Sequence, residues 1–355
     1  MSRADGVAEA LAERELDALL VTDLVNVRYL TGFTGSNAVA VVGRDLRRFI
    51  TDFRYVEQAA EQVDGFDREQ APQEFLNALA DGWPEGGLRL GFEDEHVTVR
   101  RHRRLREVLP DRVELVAAGG IVEEQRAVKD AGEIEQIRAA AALADEAYAL
   151  VRGQGLVGRT EREVALAIEN EMRRLGAEEP SFPSIVASAE RGALPHAVPT
   201  DVPIPRGTLV TLDIGARLDG YCSDCTRTWA TGELPDALAE AYALVLRAQE
   251  TALAAVRPGP EGRAVDAVAR DIIEAAGHGE HFGHGVGHGV GLQVHEAPRL
   301  ARTAEAPLVA GNVVTVEPGV YLPGRGGVRI EDLVVIAPDG HTVLSGTTKE
   351  LVVVD

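Results

Sequence analysis

Two nine-residue stretches constrain the fold more than any other feature of the chain. Gly207-Thr-Leu-Val-Thr-Leu-Asp-Ile-Gly and Gly311-Asn-Val-Val-Thr-Val-Glu-Pro-Gly align at the first glycine, a valine, a threonine, the acid and the last glycine. Each reads as a β-branched strand that delivers a carboxylate six residues after a glycine. A unit that occurs twice, each copy presenting an acid, implies a duplicated fold with a site at a pseudo-twofold interface.

Each copy is followed by a second acid. After Asp213 comes Asp219-Gly220, a hairpin-turn signal, and then a return strand from Tyr221 that carries Asp224. A tight turn there is expected to place Asp213 and Asp224 on facing strands. After Glu317 the chain passes Gly324, Gly326 and Gly327 and reaches Glu331 in Gly-Val-Arg-Ile-Glu. Four carboxylates facing one another repel unless cations sit between them. An imidazole is available in Gly283-His-Gly-Val-Gly-His-Gly-Val-Gly-Leu-Gln-Val-His-Glu, where glycine takes every odd position from 283 to 291. On an extended chain His284, Val286, His288 and Val290 would share one face, with bare backbone opposite for close approach by a neighbour. The run is not a dinucleotide fingerprint, because its third glycine is misplaced. Oxygen-rich ligands with a single imidazole favour Mn²⁺, with Co²⁺ or Zn²⁺ as substitutes, in a pair about 3.5–4 Å apart. An isolated acid at a strand end is ordinarily a turn or cap residue; the joint occurrence in this order points to chemistry.

The rest of the chain supplies limits. Its 355 residues suit two domains, with a boundary near Ala117-Ala-Gly-Gly. Before it, residues 8–20 carry helical periodicity, Asn37–Val42 and Arg48–Asp52 read as strands, and Leu30–Ser36 reads as a loop. After it, Ile134, Ile137, Ala141, Ala144, Tyr148 and Val151 form one apolar helical stripe. Further helices are expected at 160–175, opened by a Thr160/Glu163 capping box, at 236–256 and at 262–276. A net charge of -21 argues against a nucleic-acid partner. Lysine occurs only at Lys129 and Lys349, neither after a glycine, which excludes a Walker loop. No apolar run is long enough to span a bilayer, and the polar opening Met1-Ser-Arg-Ala-Asp-Gly lacks a signal peptide's apolar stretch. Cys222 and Cys225, a lone C-x-x-C, read as small residues packed beside Asp224. A cytosolic location is expected.

Taken together, Asp213-Ile-Gly with Gly-Tyr-Cys-Ser-Asp224, Gly-His288-Gly-Val-Gly with Val-His295-Glu, Val-Glu317-Pro-Gly and Val-Arg-Ile-Glu331 resemble the creatinase/prolidase/methionine-aminopeptidase superfamily of pita-bread metallopeptidases. The resemblance runs over essentially the whole chain. Asn-Val-Arg-Tyr-Leu-Thr-Gly-Phe-Thr-Gly-Ser and Thr51-Asp-Phe-Arg-Tyr look like small bacterial Xaa-Pro peptidases. It implies an α+β chain: a creatinase-like N-terminal α/β domain over 1–120, then a pita-bread catalytic domain over 121–355.

It also implies Asp213, Asp224, His288, Glu317 and Glu331 as ligands of two divalent ions, bridged by Asp224 and Glu331. Glu317 would double as general base. His196 and His295 would support the intermediate and proton transfer, and His284 would line a proline pocket. Arg329 would orient Asp224 or Glu331. The implied reaction is hydrolysis of the bond between an N-terminal residue and a following proline. Likeness to the small bacterial subgroup favours aminopeptidase P, acting on longer peptides. The alternative is prolidase, restricted to dipeptides, with Arg299 as clamp for the free carboxylate. An inactive binding module of the same fold is the remote alternative, against which the complete ligand set stands. Family members are homodimers or larger, and Phe53, Arg54 and Tyr55 would reach a neighbour's site. Cys225, where relatives carry an aliphatic residue, is a departure that could make activity sensitive to reductant.

Overall fold

The computed structural model describes residues 2–355 and divides into two compact units between Arg126 and Ala127. In the first, helices α1 (Arg3–Glu13), α2 (Leu24–Thr31), α3 (Val56–Gln62), α4 (Val99–Val108) and α5 (Ile121–Arg126) accompany six strands. The strands are β1 (Ala18–Val21), β2 (Ala38–Gly43), β3 (Arg47–Thr51), β4 (Asp67–Gln70), β5 (Leu88–Phe92) and β6 (Val113–Ala117). They form one mixed sheet in the order β4-β3-β2-β1-β5-β6. Every residue of β1 and β2 is buried, so both read as unbroken apolar runs.

Two expectations need correction here. The helix expected over 8–20 ends at Glu13, and the chain leaves through Glu15 at φ 54. Ala18–Val21 is a central strand, because its continuous apolar run buries on both faces of the sheet, which outweighs local helical spacing. Leu30 and Thr31 close α2 rather than begin a loop; Gly32 caps that helix at φ 77. The unit extends past Gly120 because α5 packs on α1 and α2 through buried Ile121 and Val122.

The second unit contains two similar halves. In the first, α6 (Ala131–Gln154) and α7 (Glu161–Arg174) pack together on a sheet of β8 (Ile185–Ser188), β9 (Leu209–Ile214) and β12 (Cys225–Ala230). The stripe Ile137, Ala141, Ala144, Tyr148 and Val151 is buried, with Ile134 half-buried; Asp130/Glu133 and Thr160/Glu163 form capping boxes. Beside it, β7 (Glu179–Pro180), β10 (Ala216–Leu218) and β11 (Tyr221–Cys222) form a small sheet, turning at Asp219 (φ 46) and Gly220 (φ 80). Positive φ at both positions is the type I′ signature.

In the second half, α8 (Asp236–Ala255) and α9 (Gly262–Ala275) pack on β13 (Gly287–Gly289), β14 (Glu296–Leu300), β15 (Val313–Val316), β18 (Asp332–Ala337) and β19 (Gly340–Val343), in the order β14-β13-β15-β18-β19. A hairpin of β16 (Gly319–Leu322) and β17 (Gly326–Arg329) lies between the two halves of this pattern in sequence. Each half thus has a helix pair over its own apolar core, and both central ladders end at acids. Among the described residues no helix is long and apolar enough to cross a membrane.

Candidate metal centre

The two ladders carry the acids to one place. Asp213 lies in β9 opposite Thr226, and Asp224 immediately precedes β12. The facing-strand expectation therefore holds for Asp213 alone. The I′ hairpin uses up the chain between the two aspartates, and Asp224 sits at the entry to its strand. In the other half Glu317 follows β15, and Glu331 sits in the gap between β17 and β18. Glu331 N–H donates to Thr226 O across the halves at 3.1 Å.

His288 lies in β13, between β14 and β15. Its Nε2 is 3.2 Å from Glu317 Oε1 and 3.6 Å from Asp224 Oδ2. Potential ligand atoms of Asp224, His288 and Glu331 all lie within 4.8 Å of one another. The glycines around it are there for close approach. A methyl at Gly287 would overlap the Thr315 carbonyl, and one at Gly289 the Ala297 carbonyl. Only Gly287–Gly289 is regular strand, broken by a bulge after His288. Val286 and Val290 are therefore fully buried while His284 and His288 stay partly buried.

Arg329 is the cation of the cluster. It donates from Nη2 to Asp213 Oδ2 (2.7 Å), from Nε to Thr226 Oγ1 (2.9 Å), and from Nη1 to Tyr321 Oη (3.0 Å) and Pro195 O (3.2 Å). Thr226 Oγ1–H in turn donates to Glu331 Oε2 at 2.8 Å. Arg329 was expected to orient Asp224 or Glu331. It holds Asp213 directly and Glu331 only through Thr226, because from the end of β17 its fork reaches the neighbouring ladder. Tyr321, Thr226 and Thr315 are functional neighbours that sequence reasoning missed. Thr315 donates to Glu317 Oε1 at 3.1 Å. Period-2 spacing was an available signal, since Thr315 and Glu317, like Asp224 and Thr226, are two residues apart.

The electrostatics show what is missing from protein atoms alone. Burial, then the charges of its carboxylate neighbours, pushes Asp224 and Glu331 well above the usual carboxylate range. Burial also acts to raise Glu317, but the His288 hydrogen bond and charge win and hold it down to about 2. Asp213 Oδ1 and Glu331 Oε1 are buried without a hydrogen-bond partner among the described residues. Each such oxygen costs about 1–3 kcal/mol or more. Divalent cations would satisfy both oxygens and relieve the repulsion, so the residues present fit a metal centre.

The remaining candidates fall in both units, and those of the second unit are His196, His284, His295 and Arg299. His295 is exposed, with its ring centroid 4.2 Å from that of His288. Burial, then His288, lowers its pKa. His196 is exposed and follows Pro195, whose carbonyl oxygen accepts from Arg329. His284 Nε2 meets Tyr321 Oη at 2.8 Å, and burial keeps the imidazole below its ordinary range. Arg299 is exposed and pairs in register with His288, which puts both side chains on one face of the sheet. Among the described residues no carboxylate pairs with its guanidinium. Phe53 is 75% exposed, whereas Arg54 binds Asp52 and Tyr55 meets Ser36 within the first unit. Cys225 and Cys222 are free and buried; burial pushes the Cys225 thiol up, and its Sγ lies 3.6 Å from Glu331 O.

Known proteins resemble this chain over nearly its whole length. Residues 135–338 match metallopeptidase family M24, and residues 3–128 match the creatinase/prolidase N-terminal domain. An uncharacterized peptidase of Bacillus subtilis is 44% identical over 95% of this chain and 96% of its own length. The solved Xaa-Pro dipeptidase from Bacillus anthracis is 40% identical, with a TM-score of 0.96 over 99% of each chain. The solved X-Pro aminopeptidase from Thermotoga maritima is 36% identical, with a TM-score of 0.88 over 97% of this chain and 99% of that one.

Proposed function

The chain belongs to metallopeptidase family M24, with a creatinase/prolidase N-terminal domain ahead of the catalytic one, and we propose that it hydrolyses the bond between an N-terminal residue and a following proline. The observation that carries this reading is the buried cluster of acids with one unpartnered carboxylate oxygen in each half. Asp213, Asp224, His288, Glu317 and Glu331 would hold two divalent ions, which we take to be Mn²⁺. When bound, the ions supply Lewis-acid polarisation of the scissile carbonyl and a lowered pKa for the attacking water.

The protein's own groups supply the rest. Glu317 stays ionised, with Oε1 held by His288 and Thr315, and its other oxygen can take the water's proton. The proline nitrogen carries no hydrogen and must gain one to leave. His295 and His196, exposed beside the cluster, are the groups to deliver it. Tyr321 receives a hydrogen bond from Arg329 and gives one to His284 Nε2, which leaves His284 neutral with Nδ1–H on Gly285 O. A neutral ring beside Phe282 (centroids 5.1 Å apart) suits an apolar proline wall.

Substrate length turns on Arg299. An exposed arginine without a carboxylate partner, level with His288, suits the free carboxylate of a dipeptide. This favours the dipeptidase reading over the longer-peptide one. The second reading draws support from the likeness to the Thermotoga maritima aminopeptidase. Hydrolysis of Ala-Pro, Ala-Pro-Ala and Ala-Ala-Ala, with and without Mn²⁺, tests both. Turnover of Ala-Pro alone, with a large KM rise for Arg299→Ala, is the dipeptidase result. Turnover of Ala-Pro-Ala indifferent to Arg299→Ala makes it an aminopeptidase. If no Xaa-Pro substrate is cleaved with Mn²⁺, Co²⁺ or Zn²⁺, the peptidase reading fails.

A further inference from the structure

Residues 282–286 lead into the glycine-rich strand without being part of it, and their backbone groups need partners. They find them in an ion pair on α9. Asp266 and Arg270, one helical turn apart, are joined by two bonds: Nε to Oδ2 at 2.7 Å and Nη2 to Oδ1 at 2.8 Å. Both side chains are buried, 1% and 8% exposed. Arg270 Nη1 donates to Phe282 O at 3.1 Å and Nη2 to His284 O at 2.7 Å, while Val286 N–H donates to Asp266 Oδ1 at 3.0 Å. The guanidinium also covers the Phe282 ring, 4.3 Å from its centroid. On its other side Val286 O accepts from Glu317 N–H at 2.7 Å. A continuous path therefore runs from the ion pair to the backbone of the general base.

A buried ion pair is poor evidence for a stabilising role, because desolvation cancels much of its attraction. Apolar side chains could hold α9 in place equally well. They could not offer two donors and an acceptor to alternate backbone groups of a segment containing Gly283 and Gly285, whose conformational freedom must be removed by something. We propose that Asp266 and Arg270 are positioning residues that set the backbone of His284 and, through Val286, of Glu317. The proposal rests on the Xaa-Pro reading for its kinetic consequence. Glu317 has side-chain supports of its own in His288 and Thr315, whereas the His284 backbone is held by Arg270. Loss of the pair should therefore weaken substrate binding more than turnover.

The test compares wild type with Asp266→Leu/Arg270→Leu, which keeps apolar packing, and with Arg270→Lys, which keeps charge but loses the fork. The readouts are melting temperature, amide hydrogen exchange of peptides covering 282–290 and 313–319, and kcat and KM on Ala-Pro. The leucine pair is expected to melt near wild type, to exchange faster over 282–290, and to raise KM about tenfold or more with kcat within about threefold. Arg270→Lys is expected to fall between, and it carries the comparison alone if the leucine pair does not fold. Wild-type exchange and wild-type KM in folded variants would overturn the proposal. So would a fall in melting temperature with no kinetic change, which is what a merely structural pair would give. If wild type itself does not cleave Ala-Pro, the reaction assigned above has failed. Exchange over 282–290 then still decides whether the pair holds the segment.

Discussion

The two halves of the catalytic unit solve the same problem by different means. In the first half Asp213 sits inside a ladder, paired with Thr226 on one side and Ile185 on the other. The ladder fixes its backbone on both sides, and one carboxylate oxygen is held by Arg329, which comes from the second half. In the second half the β15–β18 ladder ends at Val316 opposite Asp332, and Glu317 lies one residue beyond it. A longer side chain on less regular backbone is aimed by side-chain partners, His288 and Thr315. Glu331 is pinned likewise, by Thr226 on its carboxylate and by Arg227 on its carbonyl oxygen. Nearly all the specialised groups, His284, His288, His295, Arg299, Tyr321 and Arg329, belong to the second half. The two ladders provide the scaffold, and most of the other polar side chains around the acids come from the second half.

The largest test breaks the apparent equivalence of the second half's two glutamates. Glu331→Gln and Glu317→Gln should each lower Xaa-Pro hydrolysis at least a hundredfold, roughly the ceiling for loss of an outer-shell partner. Without metal they should part company. The Glu331 carboxyl is raised by burial and by Glu317 and Asp213, so its ionisation opposes folding; the stability it allows is present at low pH and lost as pH rises through its raised value. Glu317 is pulled down to about 2 by His288 despite burial, so its contribution is present above its ordinary range and lost as pH falls toward about 2. Calorimetry of EDTA-treated protein at pH 7 should show Glu331→Gln melting above wild type and Glu317→Gln below it. Shifts of the same sign for both would contradict this electrostatic account.

Next in size is the link between the halves. Arg329, from the second half, is the hydrogen-bond partner of Asp213 in the first, and Asp213 Oδ1 already lacks one. Arg329→Met leaves a buried carboxylate uncompensated, at a cost of about 3–5 kcal/mol. Urea unfolding of metal-free protein should show that loss, and Mn²⁺ titration should show weakened binding. If stability is unchanged, the two halves are not coupled through this residue.

The duplication and its acids were legible in the sequence because a strand with an acid at its end is a local pattern. The first two helices of the second unit were legible for the same reason, one from its apolar stripe and the other from the Thr160/Glu163 capping box. What escaped was non-local. Residues 8–20 contain a good helical pattern, but Ala18–Val21 is claimed by the centre of a sheet whose other strands lie far along the chain. Arg329 bonds to Asp213, 116 residues away in sequence, and no spacing rule announces that partner. The Asp266–Arg270 pair has ordinary helix spacing; only the backbone it meets sets it apart.

The smallest effects concern what glycine is for in each half. Gly220 occupies φ 80 in the I′ turn of the first half, an angle that Asp219 already tolerates beside it at φ 46. Gly220 is buried where Asp219 is exposed, so Gly220→Ala should cost at least the left-handed penalty of about 1–2 kcal/mol, with hydrolysis nearly unchanged. Gly287 has no such φ; it is glycine because the Thr315 carbonyl occupies the space of a side chain. Gly287→Ala must push β13 from β15, and with it His288 from Glu317, so it should reduce metal affinity as well as stability. Calorimetry with Mn²⁺ titration on the two variants separates conformational glycine from contact glycine. Equal losses of metal affinity would mean that the first-half hairpin, not only the glycine strand, sets the ligand geometry.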